Sequence, residues 1–508
     1  MKSPTLKQTI ALIFSGVIAG YAVTHAIFLL SWVCYLPLFF LLKDKSLKEH
    51  FLYGAIFGLG VSVIVFFWMI GSTKEFSGNQ LLYGVLVTAI STSLFCFYWS
   101  GLITVVGLGL RKFSCGIFLK AIFVASCFVL GESILALCFS QLPYYLFNSG
   151  DGLLNNLYTI QWASYFGLPI LNFMVVFINY LTIQIIIARK WKTLMMPLGI
   201  IALVMIFGFL IKQKVAHEVV SLKPIKIAIA AENVPPQLKW DEHGGNILAQ
   251  RLLALNKQAV SLHPDIVLWS EATIPWTYKA DDELLTEILK EPTPLQKQVT
   301  HIIGFMSENT KNSVLNSSYG IMSNGKVVGR YDKIALLHFV ETPIFGLNLP
   351  FLDLDGYIVE KGKSEMPIAT PVGKAGIVLC NEIVKPESTI IMAKNGAEFL
   401  LNPSNDAWFK DSYITEMHFL YARLGAIINR KDVVLNSNNG FSGHIKYTGE
   451  VLLKRKSKDF FVELANISPN RYDNSRYYFP LVMPFLCLSM LLFMFSAPFI
   501  SITQKKIA

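Results

Sequence analysis

Charge is scarce in this chain. Asp, Glu, Lys and Arg make up 15% of its 508 residues, against 53% for the hydrophobic types. That balance excludes an ordinary soluble protein of this size and points to an integral membrane protein. Cysteine is scarce as well. Six of the seven (Cys34, Cys96, Cys115, Cys127, Cys138 and Cys487) lie in apolar segments or a short basic loop, and Cys380 alone lies in the long polar stretch. No His/Cys spacing suggests zinc, so no metal is expected. No Gly-rich phosphate loop follows a strand-like run, and there is no tandem repeat or low-complexity tract. A net charge of +10 would suit nucleic acid. The basic-aromatic pattern for that is missing, however, and many cations sit in short loops between apolar segments.

What is present divides the chain into three parts. Residues 1–211 read as an N-terminal membrane domain, 212–476 as a globular domain, and 477–508 as a final apolar segment with a short tail. Seven apolar runs precede the globular part, at 8–24, 26–42, 51–71, 81–110, 117–139, 166–188 and 194–211, and an eighth covers 478–502. Each is near the length a helix needs to cross the hydrocarbon core at about 1.5 Å per residue. Basic loops alternate with nearly neutral ones. Lys43, Lys45 and Lys48 follow the second run, Arg111 and Lys112 the fourth, Arg189, Lys190 and Lys192 the sixth, and Lys505 and Lys506 the eighth. The positive-inside rule then places both termini in the cytoplasm and the globular domain on the opposite side. Glu132 is a carboxylate inside the fifth run, read as a hydrogen-bonding group between helices.

In the globular part, strand-like runs recur at 225–230, 266–269, 302–305, 327–331, 376–380, 399–401 and 433–435. Helical patterns at 245–262 and 413–429 lie between some of them, which predicts a layered α/β domain. Three runs end in reactive groups: Glu271, Lys333 and Cys380. Side chains at strand ends can converge on one sheet edge. A carboxylate can take a thiol proton, and a nearby ammonium favours the thiolate and the oxyanion formed when it attacks. The three together make an acyl-transfer site without histidine or metal. A Cys–His pair using His338 or His418 is the rival arrangement.

At these residues the chain resembles the carbon–nitrogen hydrolase (nitrilase) superfamily, and over nearly its whole length the apolipoprotein N-acyltransferase family within it. The order Glu271, Lys333, Cys380 matches the Glu-Lys-Cys triad. Asn233-Val-Pro-Pro-Gln-Leu-Lys-Trp240 is similar to the first-strand motif, and Leu268-Trp-Ser-Glu-Ala-Thr-Ile-Pro275 to the motif around the acid. Tyr331-Asp-Lys-Ile-Ala-Leu-Leu-His-Phe-Val-Glu341 is similar to the motif that pairs a lysine with a second acid, and Asn402-Pro-Ser-Asn-Asp-Ala-Trp-Phe409 to the run beyond the nucleophile. There are departures. Asn381 replaces the usual tyrosine after the nucleophile, His338-Phe-Val-Glu341 replaces Pro-Phe-Gly-Glu, Ser270 replaces a proline, and Glu232 stands where a glutamine is common.

The resemblance implies a multi-pass α-helical membrane domain plus a nitrilase-like αββα sandwich, without a cofactor. It places the chain in the bacterial inner membrane, with the sandwich on the periplasmic side. It implies a phospholipid acyl donor, typically phosphatidylethanolamine, and as acceptor the α-amino group of a diacylglyceryl-modified lipoprotein cysteine. Cys380 would carry the acyl chain as a thioester, Glu271 would move protons and Lys333 would hold the oxyanion. Trp240 and Asn316 would bind substrate, Glu341 would orient Lys333 or the amine, Glu382 would support the nucleophile, and Asn381 would alter substrate fit. The apolar stretch 343–352 reads as a lid toward the bilayer. A membrane-anchored nitrilase-type amidohydrolase, a diverged paralogue acylating another amine, and a transporter or receptor with an outer domain remain as alternatives.

Overall fold

The structure, a computed structural model, describes residues 4–76, 81–112, 115–140, 147–234, 242–291, 298–338, 341–342, 358–409 and 412–507. The chain forms two compact units. One comprises residues 1–140, 144–212 and 477–508, and the other residues 141–143 and 213–476.

In the first unit, six helices among the described residues are long and apolar enough to cross a membrane: Leu6–Thr24, Leu47–Phe66, Leu81–Lys112, Ile117–Cys138, Leu168–Ile187 and Trp191–Glu218. The apolar run at 26–42 is instead two short helices, Phe28–Ser31 and Leu36–Leu41. Pro37 sits in the first turn of the second, where its missing N–H costs no helical bond. Asn179 meets backbone groups released at the break. Its Oδ1 accepts from Tyr35 N at 2.9 Å and its Nδ2 donates to the Ser31 carbonyl at 2.8 Å. Gly16 and Gly60 let Leu6–Thr24 and Leu47–Phe66 touch backbone to backbone. A Cβ at either glycine would lie 2.2 Å from a carbonyl oxygen of the other helix. Glu132 accepts from the backbone N–H of Ser149 at 3.2 Å and from its hydroxyl, and Ser149 Oγ lies 2.8 Å from the Tyr35 hydroxyl. The buried acid therefore ties its helix to neighbouring chain.

The second unit holds thirteen strands among the described residues: β1 Ile225–Ala231, β2 Ile266–Leu268, β3 Thr300–Thr310, β4 Ser313–Met322, β5 Val327–Asp332, β6 Ile358–Val359, β7 Ile368–Thr370, β8 Gly373–Ile377, β9 Phe399–Asn405, β10 Val433–Asn438, β11 Ser442–Ile445, β12 Val451–Arg455 and β13 Phe461–Ile467. One sheet runs β13-β1-β2-β3-β4-β5 with β6 beside β4, and the other β12-β11-β10-β9-β8-β7. The sheets pack against each other through β1 with β10 and β5 with β7. Helices Glu242–Ser261 and Glu283–Lys290 cover the first sheet. Leu248, Leu252, Leu255 and Ile288 share one core with Val267, Trp269, Ile303 and Phe305. Helices Pro386–Lys394 and Ile414–Asn429 cover the second. The result is a helix–sheet–sheet–helix sandwich. Its central strands β1–β3 and β8–β10 pair in parallel and are buried on both faces. That burial explains why they read as continuous apolar runs without alternation.

Candidate active site

The topology brings the three reactive strand ends to one edge. β2 and β3 are parallel, and two antiparallel steps through β4 give β5 the same direction. The C-terminal ends of β2 and β5 therefore face the same way, with Glu271 just past one and Lys333 just past the other. Cys380 follows β8 of the facing sheet and opens a short 3₁₀ turn, Cys380–Val384.

Each side chain is fixed by its backbone. The Glu271 turn is pinned to β3 by Trp269 N to Ile302 O at 3.0 Å and Ile274 N to Gly304 O at 3.1 Å. Glu232 supports the same turn, its Oε1 accepting from Ser270 N at 3.1 Å and Thr273 Oγ1 at 3.2 Å. Lys333 N donates to Asn316 O at 2.8 Å, and the Lys333 carbonyl accepts from Gly362 N at 2.8 Å. Cys380 has φ of 49°, the left-handed region that a residue with a Cβ seldom occupies. Such strain persists only where the surroundings enforce it. Here Asn402 Nδ2 holds the Val378 and Cys380 carbonyls at 2.6 and 3.2 Å, and Glu382 Oε2 holds Leu379 N at 2.8 Å.

The polar groups form one buried constellation. Lys333 Nζ donates to Glu271 Oε1 and to Glu341 Oε1, each at 2.9 Å. Asn316 Nδ2 bridges the same two oxygens at 2.9 and 3.2 Å, and its buried Oδ1 has no partner among the described residues. Glu341 Oε2 accepts from Leu337 N at 2.9 Å. Lys333 is 2% exposed and Cys380 4%, so these charges interact with little solvent screening. Burial pushes the Cys380 thiol up, Glu271 adds to the push, and Lys333 opposes it, leaving the thiol well above its ordinary range. The resting nucleophile is a neutral thiol. Burial alone would lower the Lys333 pKa, but the carboxylates of Glu271 and Glu341 outweigh it and the ammonium stays charged. The arrangement supplies a proton acceptor, a fixed cation and a thiol that becomes reactive on losing its proton.

The remaining sequence candidates fall in different places. Glu382 is fully buried and accepts four hydrogen bonds, from Leu379 N, Ile334 N, Ala335 N and the Tyr331 hydroxyl, all at 2.8–2.9 Å. It joins the nucleophile turn to the lysine loop, and Tyr331 is a partner that the sequence reading did not single out. Asn381 is fully buried, donates to Ala335 O at 3.3 Å, and keeps an Oδ1 without a partner among the described residues. His338 Nδ1 lies 2.9 Å from Thr342 Oγ1, and His418 Nδ1 2.8 Å from Asp406 Oδ1. Neither ring shows a bond to Cys380, whose sulfur lies 4.0 Å from the Asn405 carbonyl. Ser404 and Asp406 sit in a motif whose family likeness is legible, but their neighbourhood to the thiol is set by the β8–β9 pairing. Trp240 and the apolar stretch 343–352 lie outside the described residues. Among the described residues, no group of three or more His, Cys, Asp or Glu is arranged to hold a metal ion.

Two family models match the chain. The carbon–nitrogen hydrolase family model matches residues 229–455, and the apolipoprotein N-acyltransferase N-terminal domain model matches residues 15–181. An apolipoprotein N-acyltransferase of Aquifex aeolicus is 30% identical over 274 residues, covering 53% of this chain and 59% of that one. One of Geobacter metallireducens is 23% identical over 438 residues, covering 83% and 82%. The solved carbon–nitrogen hydrolase of Helicobacter pylori G27 is 19% identical, covers 50% of this chain and 91% of that one, and has a TM-score of 0.36. With both family models matched on one chain and six membrane-capable helices, this multi-pass membrane protein belongs to the apolipoprotein N-acyltransferase family, an acyltransferase branch of the carbon–nitrogen hydrolases.

Proposed function

We propose that the protein moves a fatty acyl chain from a phospholipid, through a thioester on Cys380, to the α-amino group of a diacylglyceryl-modified cysteine at a lipoprotein N-terminus. The observation that carries this is the buried contact of Lys333 Nζ with Glu271 Oε1 at 2.9 Å, in a cluster where both charges act on the Cys380 thiol. In the first half-reaction Glu271 takes the thiol proton, and the thiolate attacks the ester carbonyl of the phospholipid. Lys333 stabilises the tetrahedral oxyanion. As the C–O bond breaks, Glu271 gives its proton to the departing lysophospholipid oxygen. In the second half-reaction the amine attacks the thioester carbonyl, Glu271 accepts the amine proton, and the C–S bond breaks to release the amide. Glu271 then returns that proton to the sulfur. Glu341 and Asn316 orient Lys333 and Glu271 through the bonds they share. Phosphatidylethanolamine is the donor this reading favours, and the bacterial inner membrane, with the sandwich in the periplasm, is the location.

The test is transfer from acyl-labelled phosphatidylethanolamine to a synthetic diacylglyceryl-cysteine peptide by the detergent-purified full chain. The expected product is the N-acyl peptide. Glu271→Gln and Lys333→Met should each slow its formation by about 10²–10⁴-fold. Release of free fatty acid at the same rate with and without the peptide would favour the amidohydrolase-type alternative and reject the transfer.

A further inference from the structure

The first unit holds a cavity that the mechanism above does not use. Its volume is about 450 Å³, within the about 300–1,000 Å³ usual for small-ligand sites. Phe39, Leu42, Val106 and Leu110 give it an apolar wall, and Lys43, Lys45 and Arg111 bring three cations to it. Lys43 and Lys45 lie in the turn between helices Leu36–Leu41 and Leu47–Phe66. Arg111, in the last turn of Leu81–Lys112, ties that turn down by donating from Nη2 to the Lys45 carbonyl at 2.7 Å. Two acids stand near. Asp44 lies 4.0 Å from Lys43 and is 85% exposed, and Glu49 lies 3.9 Å from Lys45 while it caps its own helix through Ser46 N. Three cations against two acids leave the cavity positive. Three further polar groups line it. His50 is buried, and its Nδ1 lies 2.9 Å from the Ser46 carbonyl, which can only accept, so Nδ1 carries the proton and the neutral ring offers a bare Nε2. Tyr180 is 5% exposed and packs edge-on against Phe39 at 5.3 Å between centroids. His50 Nε2, the Tyr180 hydroxyl and the Gln184 side-chain amide have no hydrogen-bond partner among the described residues. Enclosed polar groups are ordinarily paired, so a cavity that gathers three such groups beside three cations is built for a ligand.

We propose that this cavity holds the headgroup of an anionic glycerophospholipid that carries headgroup hydroxyls, of the phosphatidylglycerol kind. The phosphate meets Lys43, Lys45 and Arg111, whose Nε and Nη1 stay available because only Nη2 is spent on the Lys45 carbonyl. A headgroup hydroxyl donates to His50 Nε2, and the Tyr180 hydroxyl and Gln184 amide bond the remaining headgroup oxygens. The apolar wall takes the first methylenes of the acyl chains, which a free phosphate would leave uncovered. A choline headgroup fits badly, since it brings a fixed cation without N–H or O–H to three cations and a bare nitrogen. Basic pockets between membrane helices are a general means of recognising acidic headgroups. The positive-inside rule puts these cations at the cytoplasmic leaflet, whereas the proposed acyl transfer takes place on the other side, so the lipid held here is not the acyl donor.

The test is native mass spectrometry of the full-length protein in detergent, titrated with phosphatidylglycerol, phosphatidylcholine or sn-glycerol 3-phosphate. A Cys380→Ala background keeps lipid from being consumed. One phosphatidylglycerol should be retained at least about tenfold more tightly than phosphatidylcholine. Lys43→Gln combined with Lys45→Gln should weaken that retention roughly 10–30-fold. Tyr180→Phe removes one oxygen, keeps the ring on Phe39, and should weaken it roughly 3–10-fold; this variant carries the test if the lysine pair disturbs folding. Lys190→Gln combined with Lys192→Gln takes the same charge from another basic loop and should change retention by less than about twofold. Equal retention of the two lipids, undiminished retention in Tyr180→Phe, or equal losses in the two lysine pairs would each overturn the proposal. Binding of sn-glycerol 3-phosphate as tight as that of phosphatidylglycerol would assign the cavity to a soluble phosphate and overturn it too.

Discussion

Glu232 shows what a single substitution can do at this site. It is fully enclosed, and one carboxylate oxygen holds the turn that carries Glu271 while the other has no partner among the described residues. Burial, opposed by the bonds from Ser270 and Thr273, raises its pKa from 4.5 to about 6. A raised carboxyl stabilises the fold most when protonated, so its contribution is fully present below pH 4.5 and is lost as pH rises through 6. Glu232→Gln should therefore raise stability at pH 7–8 by about 2 kcal/mol. That advantage should disappear by pH 4.5, as thermal unfolding of the detergent-purified protein at the two pH values would show. At this scale the sequence made Glu271, Lys333 and Cys380 legible because each ends a strand-like run. It did not reveal that Asn316 donates to the same Glu271 and Glu341 oxygens as Lys333, a meeting that joins β4 to the segments carrying the two acids. Nor could it show the left-handed backbone of Cys380, held by Asn402 from the neighbouring strand and by Glu382 within the same turn.

Among the elements, Glu382 has the widest reach. Its carboxylate accepts from the nucleophile turn, from the loop after Lys333 and from Tyr331 on β5. Glu382→Gln replaces one acceptor oxygen with a donor that faces other donors. It should cost about 3 kcal/mol of stability. It should also depress acyl transfer by more than tenfold, with Cys380 alkylation by a small maleimide showing whether the turn has lost its geometry. Seven of the thirteen strands and two of the four helices described in the sandwich were legible. Runs at 225–230, 266–269, 302–305, 327–331, 399–401 and 433–435 mark β1, β2, β3, β5, β9 and β10, and the helices at 245–262 and 413–429 are displaced by at most a few residues. The run at 376–380 is a strand only to Ile377, because the chain bends there toward the 3₁₀ turn that Cys380 opens. β4 escaped notice since it is buried on both faces yet carries Asn316, Ser317 and Ser318 at its centre, polar residues whose enclosure no hydrophobic pattern announces. The break at 31–36 escaped for the opposite reason. The apolar run is continuous, and only the Asn179 amide makes an interruption affordable.

For the whole molecule, the account requires a particular sidedness. Basic loops at Lys43, Arg111 and Arg189 belong in the cytoplasm, and the sandwich belongs outside it. In intact spheroplasts, a membrane-impermeant maleimide should label Lys279→Cys without permeabilisation and Lys43→Cys only after it. The reverse pattern would place the catalytic unit where no translocated lipoprotein could reach it. Membership of the membrane class was readable from the scarcity and distribution of charge, whereas the αββα architecture came through resemblance, since strand and helix alternation alone fits several layered folds. Everything at larger scale depends on Cys380 acting as an acyl carrier, and one measurement addresses that directly. Intact-protein mass spectrometry of the purified chain mixed with phosphatidylethanolamine, without acceptor, should show one added acyl mass located on Cys380. Hydroxylamine should remove it, addition of the lipopeptide should discharge it, and Cys380→Ala should never acquire it. An unmodified wild-type protein that still produces N-acylated lipopeptide, or full transfer by Cys380→Ala, would contradict the account.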